Sequence, residues 1–149
     1  MKMSIVRLRL PEGIRKEIKE HAKKMYPTEC CGLLFGSLAE DGSAETVCAC
    51  RMQNQCTESK SGYHYRMDPL EIHHAEASYA KQGLELIGFY HSHPDHPALA
   101  SAEDLLEMIP ETVYLIVSAM HGECAEMKAW IRRGDNNESS DIRNLEIVF

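Results

Sequence analysis

His91-Ser92-His93-Pro94-Asp95-His96-Pro97-Ala98-Leu99-Ala100-Ser101-Ala102-Glu103-Asp104 is the segment around which the other elements of this 149-residue chain are arranged. It begins where an apolar run, Leu84 to Tyr90, reads as a strand, and it ends in the first turn of a helix expected from Ser101. His91 and His93 lie two apart, so on extended backbone both imidazoles point to one face. Pro94 cannot donate to a ladder and Pro97 reinforces the break, which predicts that the strand stops just after the second histidine. The chain then turns through Ala98 to Ala100, and the helix brings Asp104 back toward the strand end. Two imidazoles and a carboxylate converging from two elements make a three-ligand zinc site with one open position. Ser101 and Asp104 also fit an N-cap with an acidic residue at N3, and the two readings are compatible.

Outward from that stretch, the length suits one domain with a full core. Hydrophobic residues at 44% and charged residues at 26% are ordinary for a soluble globular chain. A net charge of −7 with no Lys/Arg cluster argues against a nucleic-acid partner. No apolar run approaches the roughly 20 residues of a membrane span, and the start, Met1 to Arg7, offers no signal-like apolar core. A cytoplasmic protein is expected. Of the six cysteines, Cys30 and Cys31 open an apolar strand and read as packing residues, and Cys48-x-Cys50 share one strand face. No Cys-x-x-Cys pair is present, so a separate structural zinc site has little support.

The remaining elements follow from periodicity. Ile5 to Leu10 alternates as a half-buried strand. Pro11-Glu12-Gly13 opens a helix with Ile14, Ile18, Ala22 and Met25 on its apolar face, and Pro27 ends it. Cys30 to Leu38 and Ala44 to Arg51, joined by the Asp41-Gly42 turn signal, read as a hairpin. Met52 to Gly62 reads as a loop bordering a groove, and Tyr63 to Met67 as a short strand. Asp68-Pro69-Leu70-Glu71 is a helix start, with the helix running through Ile72 and Ala75 to Gly83, and His73 and His74 on its solvated surface. Gly88 permits close approach of another backbone. Leu105, Leu106 and Ile109 should give the helix from Ser101 an apolar side. Thr112 to Ala119 reads as a central strand buried on both faces, Met127 to Arg133 as an alternating strand, Gly134 to Ser140 as a polar loop, and Leu145 to Phe149 as a closing strand. This order predicts an α/β fold, a mixed central sheet flanked by helices.

A metal site of this kind needs a base for its water, and His91-x-His93 has no adjacent glutamate. The best candidate is Glu29, directly before Cys30-Cys31-Gly32-Leu33-Leu34-Phe35-Gly36, where a carboxylate at the mouth of an apolar strand is badly placed for solubility alone. Taken together, Pro27-Thr28-Glu29-Cys30-Cys31-Gly32-Leu33-Leu34-Phe35-Gly36 and His91-x-His93-x7-Ser101-x2-Asp104 resemble the JAMM (JAB/MPN) metalloprotease family, and most closely its stand-alone prokaryotic members. The resemblance runs from the first helix to the Thr112–Ala119 strand. It implies a single JAMM/MPN domain over residues 1–149 with a cytidine-deaminase-like fold. It also implies His91, His93 and Asp104 as zinc ligands, Glu29 as general base, and Ser101 as a donor to the oxyanion. One departure is Ala100, where the family usually has proline; it removes no chemical group.

The activity so implied is a zinc-dependent isopeptidase. Its substrate would be the extended, glycine-ended C-terminal tail of a ubiquitin-like or sulfur-carrier protein joined to an amine. The alternative is a non-catalytic MPN-type interaction scaffold, which needs none of these five groups. A zinc deaminase would carry His-x-Glu and Pro-Cys-x-x-Cys, and both are absent.

Overall fold

The computed structural model describes residues 4–56, 64–134 and 141–149. The described elements run β1 (Arg7–Arg9), α1 (Glu12–Met25), β2 (Cys31–Leu38), β3 (Ser43–Met52), α2 (Pro69–Ala80), β4 (Glu85–Pro94), α3 (Ala102–Glu107), β5 (Val113–Met120), β6 (Glu123–Arg132) and β7 (Ile142–Val148). The mixed sheet has the order β1-β3-β2-β4-β5-β6-β7, and parallel pairing of β1 with β7 curls it into a closed barrel. The hairpin forms as expected, β2 antiparallel to β3. The pair that carries the site, β4 and β5, is parallel and runs in register from Gly88–Val113 to Pro94–Ala119.

Strand alternation divides the core. Leu34 and Tyr90 face α1, whose Ile14, Ile18 and Ala22 pack with Leu8, Val113, Leu115, Val117 and Ile131. Cys31, Leu33 and Phe35 face the other way, under Ile72, Ala75 and Tyr79 of α2. His91 is paired with Cys31, so it shares the α2 face, as does His93 two residues on. β5 is buried from Val113 to Ala119, as a strand covered on both faces must be. At Gly88 a Cβ would lie 2.4 Å from the Val113 carbonyl oxygen, so the absent side chain is what lets β5 approach.

Several expectations need correction. Residues 64–67 are not a strand; Tyr63 lies outside the described residues, as do 57–62 and 135–140. β4, as expected, stops just after His93, at Pro94, where a proline in the last position loses only an N–H that the ladder does not need. Met25 is 36% exposed and does not join the helix's buried face; His21 takes that place. α3 has no buried residue; Leu106 is exposed beside the groove described below, and Ile109, past the end of the helix, is exposed as well.

Candidate metal centre and active site

β4 delivers His91 and His93 to the open end of the β4–β5 pair. The loop that follows is bolted down by side chains of the neighbouring strands. Ser118 Oγ donates to the His96 carbonyl at 2.7 Å, Trp130 Nε1 donates to the Ala98 carbonyl at 2.9 Å, and Glu126 accepts from Ala98 N at 3.1 Å. Asp95, at φ +58°, accepts from Tyr26 Oη and from His121 N, each at 2.6 Å. The fixed loop holds the Pro97 carbonyl 2.8 Å from His93 Nδ1. A carbonyl can only accept, so Nδ1 carries a proton, and in the neutral imidazole Nε2 is then the nitrogen left with a lone pair for a metal.

The loop ends at Ser101, which forms a capping box with Asp104: Asp104 N donates to Ser101 Oγ at 3.1 Å, and Ser101 N donates to Asp104 Oδ2 at 2.8 Å. Capping does not occupy the carboxylate. Asp104 Oδ1 lies 3.2 Å from His91 Nε2 and Oδ2 lies 3.1 Å from His93 Nε2, while the two Nε2 atoms are 3.1 Å apart. Burial alone would raise the Asp104 carboxyl, but hydrogen bonds with His91 and His93 hold it well below the usual carboxylate range. Burial pushes His91 down; His93 is desolvated too, but its bonds to Asp104 and the Pro97 carbonyl raise it.

Glu29 arrives from the opposite side. After α1 the chain passes a cis Tyr26–Pro27 bond, and Cys30 N then donates to Ser92 Oγ at 2.8 Å, which docks the start of β2 between the two histidines. Glu29 is 3% exposed, and it, His91 and His93 each offer a ligand atom within 4.8 Å of the others. Burial raises its carboxyl to about 8, with His93 opposing and Asp104 adding to the rise. The groove in front, about 870 Å³, is lined by Glu29, His93, Ser101 and Asp104 among others.

Four of the five residues singled out in the sequence thus line one groove, and the fifth, His91, is buried in contact with His93 and Asp104. The donors fit a divalent metal on their own chemistry: two imidazole nitrogens and a carboxylate converge within 3.2 Å of one another, and all three are ligand atoms for such a cation once the nitrogens give up their protons. Sequence reasoning missed three supporting side chains. Tyr65 stacks on His91 with centroids 4.5 Å apart, Trp130 braces the loop, and Asn54 holds the Glu29 carbonyl at 3.1 Å. No spacing rule marks such residues, because their partners are distant in sequence. The cysteines are all free, and Cys30 and Cys31 are raised by burial to about 11 and about 12, as packing residues would be.

A mixed sheet whose strand end carries two imidazoles against a carboxylate from the next helix defines an α/β domain built around a candidate metal centre. The chain belongs to the family described as prokaryotic homologs of the JAB domain, whose profile matches residues 11–133. It is 34% identical over 122 residues to the desampylase of Haloferax volcanii, spanning 78% of this chain and 84% of that protein. It is 30% identical over 109 residues to a probable TtuB-protein conjugate cleaving protease of Thermus thermophilus, spanning 73% and 68%. The solution structure of a Desulfitobacterium hafniense protein superposes with a TM-score of 0.78 at 30% identity, covering 95% of this chain and 91% of that one. No helix among the described residues is long and apolar enough to cross a membrane.

Proposed function

We propose that this chain is a zinc-dependent isopeptidase. Its substrate is the glycine-ended C-terminal tail of a ubiquitin-like or sulfur-carrier protein, cut at the amide that joins it to an amine. The observation that carries the reading is the meeting of His91 Nε2, His93 Nε2 and both Asp104 oxygens within 3.2 Å, with the Glu29 carboxyl beside them at an open groove. The names of the Haloferax and Thermus relatives, a desampylase and a probable TtuB-protein conjugate cleaving protease, support the substrate class.

In this reading His91, His93 and Asp104 hold the metal. Zinc bound there supplies a Lewis acid that polarises the scissile carbonyl and lowers the pKa of water toward 7. Glu29 takes a proton from the attacking water and returns it to the leaving amine; burial raises its carboxyl in the metal-free protein, and a dication held beside it would favour the ionised form that a base needs. Ser101 Oγ already accepts from Asp104 N, so its own hydrogen is free to donate to the developing oxyanion, a contribution of about 3–4 kcal/mol for a good donor. The tail lies extended in the groove.

The test incubates the zinc-loaded protein with a carrier whose terminal diglycine is linked to an amine, and reads the products by mass spectrometry. Cleavage directly after the diglycine is expected, with His93→Ala losing both metal and cleavage. A protein that binds zinc fully yet cuts no such conjugate would be a scaffold.

A further inference from the structure

Asn54 belongs to none of the motifs of this chain, yet three segments meet on its side chain. Its Nδ2 donates to the Glu29 carbonyl and to the His64 carbonyl, each at 3.1 Å. Its Oδ1 accepts from Cys56 N at 3.0 Å and from Arg66 N at 3.2 Å. A side-chain amide has two N–H hydrogens and two lone pairs, so all four are used. The partners also fix its orientation, carbonyls around Nδ2 and N–H groups around Oδ1. Gln55 N, donating to the Arg66 carbonyl at 2.7 Å, closes the same junction.

The Oδ1–Cys56 bond is an ordinary Asx turn, of the kind any loop asparagine makes. The two Nδ2 bonds are not local, since they reach residues 25 and 10 positions away. One fixes the backbone of Glu29. The other, with the Arg66 bond, brackets Tyr65 and so sets the ring that stacks on His91 at 24° between planes. Among the described residues His91 Nδ1 is buried with no hydrogen-bond partner, and the Tyr65 stack bears directly on the ring plane.

We propose that Asn54 is a positioning residue for this site: it locks the Glu29 backbone and the Tyr65–His91 stack into one unit. Its effect on turnover rests on the isopeptidase reading above; its effect on the geometry does not. Asn54→Asp keeps the acceptor oxygen but turns the donor into an anionic oxygen facing two carbonyls, and Asn54→Ala removes all four bonds.

Two readouts test it. In the metal-free protein, NMR should show the His91 ring protons, shifted upfield by the Tyr65 ring in the wild type, moving toward ordinary values in both variants. The Glu29 amide should shift as well, while the Trp130 indole N–H stays in place. In the zinc-loaded protein, kcat should fall about 100-fold, as a displaced catalytic group costs. KM should stay within about threefold, because the groove that binds the tail remains. Unchanged His91 ring shifts, a kcat near the wild-type value, or shifts that spread to Trp130 would each overturn the proposal. If Asn54→Asp fails to fold, Asn54→Ala, which adds no charge, carries both readouts. If the wild type cuts no conjugate, the isopeptidase reading falls, and the ring shifts alone decide on Asn54.

Discussion

A carboxyl group that is 3% exposed and raised to about 8 is an expensive thing for a protein to keep. At pH 7 the unfolded chain ionises Glu29 while the folded metal-free protein holds it protonated, so the group lowers stability as pH rises through its ordinary value. Glu29→Gln has the same shape and no such cost. The variant should therefore be at least as stable as the wild type when metal-free, should bind the same amount of zinc, and should lose about 10²–10⁴-fold in turnover, the usual contribution of a positioned base. Metal analysis beside a conjugate-cleavage assay checks this. Wild-type turnover in Glu29→Gln would remove the residue from the chemistry. Ser101 and Asp104 show a second economy at this scale: the carboxylate that completes the capping box also faces both imidazoles, so helix initiation and ligand placement are one event.

Among elements, the site depends on how closely β5 can lie against β4. Gly88→Ala would place a methyl 2.4 Å from the Val113 carbonyl oxygen and 2.7 Å from Val113 Cβ, neither of which can swing away. The strands must separate at a cost of about 1–3 kcal/mol. A lowered urea midpoint at unchanged m-value is the expected result, and an unchanged midpoint would show that the approach is not tight. This glycine, the β2–β3 hairpin, the doubly buried β5 and the Asp68-Pro69 start of α2 were legible because each is set by its own residues; Asp68 does accept from Leu70 N, at 2.9 Å. The 64–67 stretch was misread for the opposite reason. Its aromatic alternation looks like a strand, but the His64 carbonyl and Arg66 N bond to the Asn54 side chain and the Arg66 carbonyl to Gln55 N, so no ladder forms. α3 was misread because its apolar residues border a groove and not the core: Leu106 is 73% exposed. Of the candidate site, His91, His93 and Asp104 could be read from their spacing, Glu29 from its place before an apolar strand, and the role of Ser101 only from the family resemblance; the braces on them could not, because Trp130 and Asn54 reach partners 32 and 25 residues away.

At the scale of the molecule, closure of the sheet by β1 and β7 leaves α1 packed across the barrel on the side away from the site, and one polar contact ties that helix to the strand bearing the histidines. His21 Nδ1 lies 2.7 Å from Tyr90 Oη, 69 residues apart. Burial raises the Tyr90 phenol, so it stays protonated and can donate to an unprotonated imidazole. Burial first, then the Arg51 and Lys24 cations, lower His21 from 6.5 to about 4. The unfolded chain therefore binds a proton at His21 that the folded one refuses between these values. Burying a neutral imidazole here therefore leaves stability undiminished above pH 6.5, and stability is lost as pH falls from 6.5 toward 4, by about 3 kcal/mol in all at 1.36 kcal/mol per unit. His21→Gln keeps an acceptor for Tyr90 but cannot titrate. Urea unfolding of the metal-free proteins should find the wild type losing that much more stability than His21→Gln between pH 7.5 and 4. The site histidines and the carboxylates titrate in both proteins and cancel in the difference. Parallel losses in the two would mean that the imidazole is protonated in the fold or reaches water.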